Sequence, residues 1–108
     1  MSLLHDAFAR AKSENRAALI AYLPAGYPTE DGAVECIAAM VEGGVDIVEI
    51  GFPYSDPVMD GPTIQDAVNI SLEGGTKSAT VINTVKRVAD LGVPALVMSY
   101  WNPIERYG

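Results

Sequence analysis

Three strand-length apolar runs, each followed by a segment with helical character, set the narrowest limits on what this chain can fold into. The runs are Ala18-Leu19-Ile20-Ala21-Tyr22-Leu23, Val45-Asp46-Ile47-Val48-Glu49-Ile50 and Ala95-Leu96-Val97-Met98-Ser99-Tyr100. A short helix over about 2–13, with Leu4, Phe8 and Ala11 on one stripe, precedes them. The first run is unbroken by polar residues, the pattern of a strand buried on both faces. After the Pro24–Pro28 loop, Thr29 suits an N-cap, and Val34, Ile37, Ala38 and Val41 follow at helical spacing up to Gly43-Gly44. After the second run and a loop over 51–60, Pro62 suits the first position of a helix running to about Glu73. Gly74-Gly75 breaks it, and Ser78 caps a further helix carrying Val81, Ile82, Val85, Val88 and Ala89, closed by Gly92. Asn102 and Pro103 read as the cap and first residue of another helix. Strands alternating with helices imply parallel pairing through right-handed crossovers.

A parallel sheet needs both faces covered and its edges paired or blunted. Three strands and a last helix of about one turn point to a single incomplete α/β domain over 1–108, a piece of a larger barrel or open sheet. At 108 residues there is no room for two ordinary domains. The net charge of −7, from 14 acids and 7 bases, makes nucleic acid and anionic membrane poor partners. Cys36 stands alone, which excludes an internal disulfide and a multi-cysteine metal site and suits a reducing, cytoplasmic compartment. The start Met1-Ser2-Leu3-Leu4-His5-Asp6 has no basic region or long apolar run of a signal peptide, and no apolar stretch reaches membrane-spanning length.

Glu49 is the most informative residue. Strand alternation places it with Val45 and Ile47, opposite Asp46, Val48 and Ile50. A buried carboxylate either pairs or takes up a proton. No Lys or Arg occurs between Arg16 and Lys77, while ten acids do. Without a distant cation, Glu49 is expected to hold a proton as a general acid/base does; the alternative is a strand-end carboxylate that turns outward to water or accepts a backbone hydrogen bond. Asp60 stands just before a helix, where an N-cap is the reading that position favours. Its functional alternative is a second carboxylate facing Glu49 across a cleft. The loop Phe52-Pro53-Tyr54-Ser55-Asp56-Pro57-Val58-Met59 is unusually apolar, which suits either a lid or partner patch, or a segment folded over the sheet end. His5 reads as a surface residue and Cys36 as packing, and Gly74-Gly75-Thr76 lacks the strand–loop–helix context of a phosphate loop. Tyr22 and Tyr100, near strand ends, suit either an aromatic ligand or the core.

The run from Asp46 to Gln65, with its Glu–x–Gly–x–Pro–x–Ser–Asp–Pro pattern followed by Asp60-Gly61-Pro62, strongly resembles the alpha chain of tryptophan synthase. Pro24–Pro28 and Met98-Ser99-Tyr100-Trp101-Asn102-Pro103 carry the resemblance along the rest of the chain. The resemblance implies a (β/α)8 TIM barrel that cleaves indole-3-glycerol phosphate to indole and glyceraldehyde 3-phosphate, using neither metal nor organic cofactor. It implies Glu49 as catalytic acid/base, Asp60 as the carboxylate that binds the indole N–H, and Tyr22 and Tyr100 as pocket residues. It implies that Pro53, Asp56 and Pro57 touch a beta chain, which carries pyridoxal phosphate and receives indole through a tunnel.

A barrel of this kind takes about 250 residues, so the chain is expected to form the N-terminal part, about three parallel strands with flanking helices. Barrel phosphate sites typically use loops after strands 7 and 8. The carboxylates are then present without the phosphate grip, and the chain alone is expected to be inactive. Two other readings stand beside the lyase: a noncatalytic module docking on a beta-chain-like partner, and a partial barrel whose strand edges pair between copies.

Overall fold

The computed structural model describes residues 2–57 and 59–107, with 102, 106 and 107 described by backbone alone. The elements are α1 (Leu3–Ser13), β1 (Ile20–Pro24), α2 (Glu30–Glu42), β2 (Ile47–Gly51), α3 (Pro62–Glu73), α4 (Ser78–Ala89), β3 (Ala95–Met98) and α5 (Trp101–Tyr107). The three strands form one parallel sheet in the order β1-β2-β3, as the alternation predicts. The register aligns Tyr22 with Glu49 and Glu49 with Leu96. Residues aligned in this way share a face.

The core lies on the opposite face. Val48 and Ile50 of β2 are fully buried and cluster with Ile37 of α2, with Val81 and Val88 of α4, and with Val93. The helical spacing places these side chains on the faces that α2 and α4 turn to the sheet. Exposed ties join the two helices: Arg87 donates to Asp31 at 2.8 Å, and Asn83 donates to Glu30 at 2.8 Å.

Asp46, immediately before β2, is buried and holds the opposite end of the sheet together. Arg16 grips it with two hydrogen bonds of 2.7 and 3.1 Å, and the Leu19 N–H donates to it at 2.8 Å. Arg10 of α1 adds a longer contact of 3.5 Å. The Arg16 bonds, then the Leu19 N–H, hold this carboxyl well below the usual range despite the cost of burial. The charge pattern alone did not reveal this partnership, which joins residues 30 positions apart.

A second tie fixes the corner between α3 and α4. The Ser71 hydroxyl donates to the Ala25 carbonyl at 2.6 Å and lies 2.8 Å from the Thr76 hydroxyl. Gly26 meets this pair at φ +76°, where a Cβ would overlap both hydroxyl oxygens. Gly74-Gly75-Thr76 is thus a structural corner.

Several expectations need correction. β1 is not buried on both faces here: Ile20 is 46% exposed, on the face it shares with Glu49, opposite the α2–α4 core. β3 ends at Met98, so Ser99 and Tyr100 belong to the following loop. The cap of α4 is Lys77, with Ser78 its first residue. Helix α5 begins at Trp101, which places Asn102 and Pro103 inside its first turn, where a proline's missing N–H costs no bond. Cys36 is exposed, on the outer side of α2.

Candidate active site

Two polypeptide routes lead to the carboxyl ends of the strands, where parallel sheets commonly bind ligands. β2 carries Glu49 there on the face away from the α2–α4 core, between Tyr22 and Leu96. The side chain is partly buried, and among the described residues no cation forms an ion pair with it. Arg16, the nearest base before it in sequence, is committed to Asp46. Glu49 is therefore neither clamped by a guanidinium nor fully exposed.

The second route is the 52–59 loop, which returns the chain as Asp60. Gly61, not Asp60, caps α3, and it makes no side-chain cap bond. This corrects the positional expectation for Asp60 and leaves its carboxylate for other work. Asp60 lines a cavity of about 250 Å³ together with Tyr22, Phe52, Met59, Met98 and Tyr100. Glu49 lies beside this cavity, next to Tyr22 in the sheet, and does not line it.

Tyr22 joins the two carboxylates. Its phenol is pushed up to about 12, first by burial, then by the negative charges of Asp60 and Glu49. Its ring leans towards the strand end and occupies the space above Gly51, where a Cβ would overlap the Tyr22 hydroxyl. The glycine of the Glu–x–Gly motif therefore makes room for Tyr22 next to the catalytic candidate.

Tyr100 stacks on Tyr54 with ring centroids 5.2 Å apart and a 36° tilt. Its hydroxyl accepts the Met59 N–H at 2.7 Å. The apolar loop thus folds back over the sheet end, one of its two expected arrangements, while Met59 keeps 84% of its surface exposed. Of the residues expected at a partner interface, Asp56 is exposed and Pro57 partly so, whereas Pro53 is buried. Val58 lies outside the described residues. A separate cleft of about 470 Å³ lies between this loop, Thr76, Lys77 and Pro103, and contains neither carboxylate.

Sequence reasoning missed Gln65. Its side-chain amide donates to the carbonyls of Asp60 at 2.8 Å and Pro57 at 3.2 Å. Nothing in the sequence marks it, because both of its partners are main-chain carbonyls. Among the described residues no group of three or more His, Cys, Asp or Glu gathers in a metal-holding arrangement, and no helix is long and apolar enough to cross a membrane.

A family model of the tryptophan synthase alpha chain matches residues 8–108. The tryptophan synthase alpha chain of Streptomyces coelicolor is 57% identical over 109 residues, covering 100% of this chain and 40% of that protein. That of Thermobifida fusca is 54% identical over 108 residues, with 100% and 40% covered. The aminoacrylate-bound tryptophan synthase of M. tuberculosis superposes with a TM-score of 0.94 at 47% identity, covering 100% of this chain and 44% of that one. The alpha subunit from Legionella pneumophila gives 0.93 at 32% identity, with 100% and 42% covered. The chain spans about 40% of the length of the curated relatives it matches. Its strands and helices form part of a (β/α)8 barrel, and the chain belongs to the tryptophan synthase alpha chain family.

Proposed function

We propose that this chain supplies the acid–base groups of a lyase in tryptophan biosynthesis, which cleaves indole-3-glycerol phosphate to indole and glyceraldehyde 3-phosphate. The observation that carries this reading is the placement of Asp60 and Tyr22 on one cavity with Glu49 beside Tyr22 in the sheet, and with no ion pair at either carboxylate among the described residues.

The bond between indole C3 and the side chain breaks only when the ring accepts its electrons. Protonated Glu49 gives its proton to C3, which places positive charge on the ring nitrogen. The Asp60 carboxylate accepts a hydrogen bond from the ring N–H and stabilises that charge. The Glu49 carboxylate then takes the proton of the adjacent side-chain hydroxyl. Its C–O bond becomes the aldehyde carbonyl, and the C–C pair returns to the ring as neutral indole. One proton leaves Glu49 and one returns, so this chain needs neither metal nor organic cofactor. Tyr22 and Tyr100 line the space for the ring.

The exposed part of the 52–59 loop, with Asp56, Pro57 and Met59, is the surface we assign to a tryptophan synthase beta chain, whose own pyridoxal phosphate would consume the indole. A cytoplasmic setting fits the lone, exposed Cys36.

The test uses a chimera of residues 1–108 followed by the remaining length of the Streptomyces coelicolor relative. The wild-type chimera should release indole. Glu49→Gln should lower that rate by about a hundredfold or more, the range of a lost acid–base group, while beta-chain binding stays unchanged. A chimera that binds the beta chain yet never releases indole supports the docking module instead.

A further inference from the structure

The turn that presents Asp60 is held from two sides by groups with no part in the proton transfers above. From α3, Gln65 donates one N–H to the Asp60 carbonyl at 2.8 Å and the other to the Pro57 carbonyl at 3.2 Å. Two carbonyl partners fix the amide's orientation, because only its NH2 group can serve both. Helical side chains lean towards their helix N-terminus, so a residue one turn into α3 reaches back over this junction. The Asp60 N–H closes the turn onto the Pro57 carbonyl at 3.1 Å. From beyond β3, the Tyr100 hydroxyl accepts the Met59 N–H at 2.7 Å, and the Tyr100 ring is braced by Tyr54. Gly61 contributes no side-chain cap, and the side-chain bonds at this junction run from Gln65 back to the carbonyls that precede the helix.

We infer that Gln65 is a positioning residue for Asp60, with the Tyr100 hydroxyl as second anchor: together they hold the backbone at Met59 and Asp60 so that the carboxylate meets the substrate's ring nitrogen. The inference rests on the lyase reading. It also gives the Tyr100 hydroxyl a task directed at the loop, separate from the contact its ring makes with the cavity. Fixing the backbone leaves Asp60 only its own side-chain torsions, and a displacement of about 1 Å at such a group costs roughly a hundredfold in rate.

The experiment is a double-mutant cycle in the same chimera, with Gln65→Met, Asp60→Asn and the pair. Gln65→Met keeps length and bulk but removes both donors. Alone it should lower kcat about ten- to a hundredfold, with little change in KM. On the Asp60→Asn background it should change kcat by less than about twofold, because a group that acts through Asp60 has nothing left to position. An equal fold-loss on both backgrounds, or full activity of the single variant, overturns the inference. Tyr100→Phe, which removes one hydroxyl and keeps the ring, should repeat the non-additivity with a smaller loss, and it decides the matter if Gln65→Met shows no cooperative melt. An inactive wild-type chimera, or an undiminished Asp60→Asn, overturns the lyase reading and this inference with it. Sensitive Asp60→Asn with additive Gln65→Met and Tyr100→Phe overturns the inference alone.

Discussion

Two carboxylates on β2 and its entry have opposite fates because of what reaches them. Asp46 is bound by Arg16, Arg10 and a backbone N–H, and its carboxyl stays charged far into acid. Because its folded pKa is depressed, it stabilises the fold fully above the unfolded carboxylate value of about 4, and that contribution declines as pH falls below it. In the chimera, Asp46→Asn should lower the urea midpoint at pH 7, and the gap to wild type should narrow steadily below about pH 4. An equal gap at pH 3.5 and pH 7 would show that the charge is not what matters. Gly51 makes a different prediction. A methyl group there would overlap the end of the Tyr22 ring, which lines the neighbouring cavity, and force it to shift. Gly51→Ala should weaken binding of an indole analogue by about tenfold, or roughly 1.4 kcal/mol, measured by calorimetry; unchanged affinity would mean that the ring has somewhere else to go. The place of Glu49 on a partly buried strand was legible from sequence because a charge in an apolar strand is conspicuous. Asp46 was not, since its partners come from a helix and loop that no periodicity ties to it. Asp60 was half legible: its place before a helix argued for a cap, and only the structure shows that Gly61 holds that place.

The β and α segments were readable because each buries one consistent set of side chains. Ile37 of α2 and Val81 and Val88 of α4 lie on the apolar stripes of their helices and cluster with Val48 and Ile50 of β2. Ile37→Ala in the chimera should cost about 2–5 kcal/mol, the usual range for emptying a packed core site, in a denaturation curve; a loss under about 1 kcal/mol would mean that α2 is not held by this contact. Boundaries were less readable because several residues can begin a helix. Ser78 is a good cap by type, but the chain turns one residue earlier, and a proline sits as well in the first turn of α5 as at its first position. Burial of β1 was only half legible, because an apolar run records what a strand tolerates on its faces, while exposure depends on what packs against each face. Gln65 escaped notice because its bonds reach back to main-chain carbonyls, which carry no sequence signal.

In the whole molecule, Glu49 sits on a sheet of three strands with β1 and β3 at its edges, and Asp60 stands in the loop beyond the strand ends. The face bearing Glu49 and Leu96 is where the rest of a closed barrel would pack. Expressed by itself, the 108-residue chain should show negligible cleavage of indole-3-glycerol phosphate, because the binding energy of the nonreacting phosphate is normally drawn on to speed such a step and barrel phosphate sites typically lie on later loops. Ordinary turnover by that chain alone would contradict this. The central claim is narrower: the side chain at position 49 hands a proton to carbon 3 of an indole ring. Its most direct test is washout of hydrogen from that carbon, followed by NMR, with the chimera, indole and glyceraldehyde 3-phosphate in deuterated water. The wild-type chimera should replace it with deuterium, and Glu49→Gln, with an unchanged melt, should fall to the uncatalysed rate; exchange by Glu49→Gln at the wild-type rate would contradict the account.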